Sequence, residues 1–251
     1  MMIQVLERAF KILDFIAENP EEPKGLGALA KYGGLNQGTC ANIVKSLCQH
    51  NFLEQVGRKK GYILGPAVYY LARNGPYRRD IVAAAEPLLS RLASEVQETV
   101  LVATLHQGKR SILLQVNGNR VMNISNDFLL QESTYDTATG RLLLAFLSAS
   151  ELENFLARKG LPGREAWPEA ASRKKLDACL CEIRKKGVVM HSSRPDIMGI
   201  SYPLKSEGEV IAALGLFLPS FRFKGKHKEL VLKKMGKTAD EISKTIIGRM
   251  Q

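Results

Sequence analysis

The sequence predicts an α+β chain of two domains, the first of them a winged helix-turn-helix. Three observations carry this. Residues 25–62 read as a helix, a glycine break, a capped helix and two short strands around a basic turn. From Thr99 the apolar period shifts from helical to alternating. The chain has 251 residues and is 45% hydrophobic, enough for two packed cores.

In chain order, residues 4–18 place Val5, Ala9, Ile12, Leu13 and Ile16 on one side of a helix. A loop at Glu21-Glu22-Pro23 leads to a short helix with Leu26, Leu29 and Ala30 at helical spacing, broken by Gly33-Gly34. Asn36 is a good N-cap for the next helix, because its side chain can accept from an orphan backbone N–H. That helix buries Cys40, Ile43, Val44 and Leu47. Its opposite face carries Gln37, Gly38, Ala41, Asn42, Lys45 and Gln49, with no acid. Residues 52–56 and 62–64 read as strands, joined by the turn Gly57-Arg58-Lys59-Lys60-Gly61.

This pattern suits DNA. Short amide, hydroxyl and cationic side chains such as Gln37, Thr39, Asn42 and Lys45 can reach base edges in a major groove. Arg58, Lys59 and Lys60 can sit on phosphates. From Lys24 to Arg73 there are seven Lys/Arg and one acid, Glu54. The plainer alternative, a small helical domain with a solvated face, stays open on this stretch alone.

Past the wing, Pro66 is well placed to start a helix over 67–73. The 74–79 break carries Asn74, Gly75 and Pro76, and a second helix over 80–97 has Pro87 as a kink or restart point. Residues 99–105, 111–116 and 121–125 are strand-like, with turns at Gly108-Lys109 and Gly118-Asn119. Helices follow over 137–147, 150–158 and 172–186, then strands over 199–205 and 210–218, and a last helix over 226–250. The expected division is a DNA-binding domain at 1–73, a linker and connecting helix at 74–97, and a second domain at 98–251.

Composition narrows the function classes. The net charge of +11 suits a polyanion partner. No apolar run reaches the roughly 18 residues of a membrane helix, and the N-terminus has no secretory segment. Cysteines at 40, 48, 179 and 181 lack metal-ligand spacing and read as free thiols of a reducing cytoplasm. The four histidines are scattered singles, and no GxSxG, Walker or GxGxxG pattern occurs. No catalytic residue, metal or cofactor is therefore expected, and an enzyme is the disfavoured class. The Thr137-Ala138-Thr139-Gly140 helix start can offer N–H groups to an anion or be only a capped helix. The Ser192–Asp196 loop, through Ser193 and Asp196, can line the same pocket.

Across nearly its whole length the chain resembles the IclR-type transcriptional regulators. VLERAFKILDFI is similar to the family's first helix, GLNQGTCANIVKSLCQHNFL to its recognition segment, and GYILGPAVYYLA to its wing strand and linker helix. DTATGRLLLAFL is similar to its T-A-x-G-[KR]-x-L-L-A segment, and ISYPLKSEGEVIAALGLFLP to its strand-turn-strand ending. The resemblance implies a GAF-like effector domain, a homodimer or homotetramer, a double-stranded DNA operator and a small-molecule effector. Two departures stand out. Gly38, Thr39 and Asn42 occupy positions where members often carry a Ser-Thr pair and an arginine, so a different operator is expected. Gly215 and Phe217 occupy positions of serines that contact small carboxylate effectors in some members; Phe217 is expected as an apolar pocket floor, which speaks against a small keto acid and leaves open a larger or more apolar ligand, or none. The alternative is a ligand-sensing module that has lost DNA binding.

Overall fold

The computed structural model describes residues 3–74, 79–106, 108–118, 134–194 and 196–250. The strand expected over 121–125 and most of the 74–79 break lie outside them. The chain divides into two compact units, Met1–Tyr77 and Arg78–Gln251.

In the first unit, α1 (Gln4–Glu18), α2 (Leu26–Gly33) and α3 (Gln37–Gln49) pack around Ile12, Ile16, Leu29, Cys40, Ile43 and Val44. The α2–α3 turn is set by Gly34, whose φ of 61° is the left-handed conformation that glycine adopts without a Cβ clash. Asn36 caps α3, its side chain accepting the Thr39 N–H at 2.8 Å. Strands β1 (Leu53–Gln55) and β2 (Tyr62–Leu64) pair antiparallel. Their connection is a single helical turn, α4 (Gly57–Lys60), rather than the open turn expected. Lys24 adds a rung, exchanging backbone hydrogen bonds with Tyr62 at 3.0 and 2.9 Å. Gly61 is required beside it, since a Cβ there would stand 2.6 Å from the Lys24 backbone. Helix α5 (Pro66–Asn74) follows, beginning at the proline.

The second unit opens with α6 (Arg79–Val96), which contains Pro87 within one helix instead of restarting at it. Strands β3 (Thr99–His106), β4 (Lys109–Asn117), β5 (Val189–Arg194), β6 (Ile197–Ser206) and β7 (Glu209–Pro219) form one antiparallel sheet in the order β4-β3-β7-β6-β5. One face is covered by α6 and α10 (Gly225–Met250) over Val100, Val102, Leu214 and Leu216. Glu241 of α10 pairs with Arg91, and Lys234 with Glu95 at 3.0 Å, tying the two helices along their rims.

The other face carries α7 (Ala138–Ala145), every residue of which is buried. Beyond it lie α8 (Ala149–Lys159) and α9 (Arg173–Lys186), the latter following a short 3₁₀ turn at Pro168–Ala170. A second core of Leu101, Leu142, Leu144, Phe155, Leu180 and Phe217 fills the space between. Strand β5 corrects the expected Ser192–Asp196 loop: Ser192 and Arg194 pair with Met198 and Ile197 of β6. As an edge strand it has a single neighbour, so polar residues are tolerated there.

Candidate nucleic-acid interface and ligand cleft

Helix α3 turns its apolar stripe inward and leaves Gln37, Asn42 and Lys45 exposed, with Thr39 half-buried. Lys60 is exposed on the wing; the side chains of Arg58 and Lys59 lie outside the described residues. Ser46 and His50 continue the exposed row one and two turns beyond Asn42. Sequence reasoning misses them, although their i+4 and i+8 spacing from Asn42 is an available signal. Asn42, Ser46 and His50 also edge an apolar groove of about 440 Å³ shared with Val5 and Leu6 of α1.

At the start of α7 the sheet and helix close tightly. Thr137 is the N-cap and accepts the Gly140 N–H at 3.0 Å. A Cβ on Gly140 would lie 2.0 Å from the Thr134 carbonyl oxygen, and one on Gly215 would lie 2.6 Å from Thr139 Cγ2. Phe217 is 1% exposed and belongs to the core. Gly199 leaves room for both Phe217 and Ala138, which would stand 3.2 and 3.3 Å from a Cβ there. The fold therefore brings Ala138, Thr139, Gly215 and Phe217 together, but as a packed helix–sheet contact. The expected open pocket floor at Phe217 is corrected to a buried core position, and the Gly140 N–H is already satisfied by its cap. Thr139 Oγ1 is buried without a hydrogen-bond partner. Asp196 is exposed after β5, and the Ser193 side chain lies outside the described residues.

None of Thr137, Ala138, Thr139, Gly140, Gly215 and Phe217 lines the large cleft that the structure does show. That cleft, of about 800 Å³, opens between α9, the 165–169 segment and β5. At its base Arg141 stacks on Trp167, the guanidinium carbon 4.3 Å from the ring centroid. Arg141 Nε donates to the Tyr135 carbonyl and Nη2 to the Ala166 carbonyl, both at 2.8 Å. Burial pulls this guanidinium down to about 10, against the support of Glu169 and Asp136. Burial and then the Arg141 charge push the His191 imidazole down to about 4, leaving it neutral near pH 7. Tyr135 donates to the Gly160 carbonyl at 2.5 Å, and burial pushes its phenol up to about 12. Nothing local in the sequence marks this site, because its residues come from four separated segments.

Among the described residues, no group of His, Cys, Asp and Glu could hold a metal ion. No helix among them is long and apolar enough to cross a membrane. Burial raises the thiols of Cys40, Cys48 and Cys179, and all four cysteines are free.

Residues 77–244 match the family model described as bacterial transcriptional regulator IclR C-terminal, and residues 5–57 match the IclR helix-turn-helix domain. The HTH-type transcriptional regulator TtgV of Pseudomonas putida is 30% identical over 74% of this chain and 70% of its own length. The transcriptional repressor IclR of Escherichia coli is 29% identical over 74% of this chain and 68% of its own. Among solved structures, an IclR homologue from Microbacterium hydrocarbonoxydans complexed with 4-hydroxybenzoate aligns with a TM-score of 0.69, at 21% identity, over 98% of this chain and 100% of that one.

Proposed function

Because this chain belongs to the IclR family of bacterial transcriptional regulators, we propose that it recognises its operator through α3 and the wing and responds to a small molecule held by the second unit. The observation that carries the DNA reading is the face of α3. A side-chain-capped helix buries Cys40, Ile43 and Val44 and leaves Gln37, Asn42 and Lys45 exposed, with no acid among them. Amide groups of this kind pair with base edges, and cations with phosphates. Gln37, Thr39, Asn42 and Lys45 are assigned to the major groove, and Arg58, Lys59 and Lys60 to the backbone.

The working division is a DNA-binding domain at 1–73, a connecting stretch at 74–97 and a ligand-binding domain at 98–251. A single winged helix reads too few bases to select one operator from a genome, so a dimer or a pair of dimers is expected. Tyr69 and Tyr70 of α5 support this, since they are 82% and 70% exposed and large aromatic side chains left in water favour a contact between copies. A cytoplasmic location follows from the DNA partner. The 4-hydroxybenzoate complex of the homologue supports a small organic effector in the second unit. Thr139, Gly215 and Phe217 could admit one only by repacking. Binding alters DNA affinity only if the ligand prefers one of two conformations.

DNase footprinting of the purified protein on the DNA upstream of its own gene tests the DNA reading. A protected segment with two-fold related halves is expected. A folded dimer that protects nothing there, and enriches no fragment of the source genome, would leave only a ligand-sensing module.

A further inference from the structure

The cleft between α9 and β5 has a charge that runs against the rest of the molecule. Asp136, Glu165, Glu169 and Glu182 stand on its wall against Arg141 and Lys186, in a chain of net charge +11. Glu182 is paired with Lys185 and Lys186. None of the ion pairs among the described residues involves Asp136, Glu165 or Glu169.

Arg141 cannot swing out to supply one. Two backbone carbonyls and the Trp167 ring hold its guanidinium in place, and the side chain is 8% exposed. His191 is neutral, so it adds no positive charge. Trp167, Ala178, Ile183, Val188 and Val189 make an apolar part of the remaining wall, beside Cys179, His191 and Ser192. A volume of about 800 Å³ falls in the range of small-molecule sites. A concave wall also focuses the field of the charges on it.

We propose that this cleft binds a small organic cation, a protonated amine on an aromatic or aliphatic body. The ammonium group lies toward Asp136 and Glu169, and the body lies along the Val188–Val189 and Ile183 side. An organic acid is disfavoured, because the one buried cation is already committed to backbone oxygens and flanked by two carboxylates. The proposal does not depend on DNA binding and can fail or succeed separately from it.

Trp167 is the only tryptophan in the chain, so its emission reports on this cleft alone. Phenethylamine, phenethyl alcohol and hydrocinnamate share a phenyl body and differ in the charge of the head. Each is titrated into the full-length protein while Trp167 emission is followed, at low and at high salt. Phenethylamine should give a saturable change that weakens with salt, the alcohol a weaker one, and hydrocinnamate none. Glu165 and Glu169 are exposed, so Glu165→Gln and Glu169→Gln should leave the fold intact. The Glu169→Gln variant should bind the amine about tenfold more weakly, as expected for removal of one charge-assisted bond. Hydrocinnamate binding as well as the amine, no saturable response to any of the three, or unchanged amine affinity in Glu169→Gln would each overturn the proposal.

Discussion

Gly140 and Thr134 meet at the start of α7 with no space for a side chain: a Cβ on Gly140 would lie 2.0 Å from the Thr134 carbonyl oxygen and 2.7 Å from Thr137 Oγ1. The glycine lets the first turn of a fully buried helix close on the loop before it. Gly140→Ala should therefore be a folding lesion costing about 3 kcal/mol, the upper end of overpacking costs. Gly163→Ala is the control, since nothing lies within 4 Å of a Cβ there; its change should stay within about 0.5 kcal/mol. Urea unfolding of both variants checks this. Equal stabilities would show that Thr134 can move aside.

His191 gives the second unit a pH dependence of definite sign. Its folded-state value is lowered from 6.5 to about 4, first by burial and then by Arg141. The unfolded chain then takes up a proton that the folded one does not, so stability present above 6.5 is lost as pH falls toward 4. The slope is at most about 1.4 kcal/mol per pH unit. His191→Asn should remove that component. Nuclear magnetic resonance of the imidazole protons is the direct check, and a midpoint near 6.5 in the wild type would refute the burial argument.

Features of this chain differ in how far sequence can anticipate them. The Asn36 cap and the Cys40–Ile43–Val44 stripe are legible, because a cap depends on one side-chain type and a stripe on spacing. Strand β5 is not: Ser192 and Arg194 carry no apolar alternation, and pairing with β6 alone sustains them. The α4 turn and the Lys24–Tyr62 rung also leave no pattern, since one is four residues long and the other a single bridge. Position 217 is legible only in part. Residue type shows an apolar substitution, yet only the packing of α7 on β7 shows that Phe217 fills a core instead of flooring a pocket. The α9–β5 cleft lies outside reach altogether, because Arg141, Trp167, Glu182 and His191 converge only through the fold.

Glu98 should act in the opposite direction to His191. It is 3% exposed, and its Oε1 takes Arg222 Nε and His227 Nε2, each at 2.9 Å. Burial raises this carboxyl above 4.5, outweighing the His227 hydrogen bond and the charges of Arg222 and His227. A raised carboxyl binds a proton more readily in the folded chain, so it contributes stability at low pH that is lost as pH rises through the folded value. Glu98→Gln should thus fall increasingly below the wild type as pH drops toward 4.5. At neutral pH, where one buried charge is exchanged for a neutral amide, the two should be closer. Denaturant titrations across the acid range compare them; a gap that widens with rising pH would mean that the His227 hydrogen bond and the Arg222 charge outweigh burial.

The operator contacts proposed for this chain separate into two classes that should respond differently to substitution. Asn42 is exposed on α3 between Gln37 and Lys45, and its amide can both donate and accept at a base edge. Asn42→Ala should relax preference at one base pair by about 1–3 kcal/mol, with little change in affinity for unrelated DNA. Neutralising Arg58, Lys59 and Lys60 should weaken all sequences alike. Because each neutralised phosphate releases counterions, the change should also flatten the slope of log affinity against log salt, by about 0.9 for every phosphate no longer held. Gel shifts of both variants on the footprinted operator and on scrambled DNA, across a salt series, distinguish the two behaviours. If Asn42→Ala lowers specific and non-specific affinity equally, the residue touches phosphate, and the groove-facing row of α3 would have to be reassigned toward Ser46 and His50.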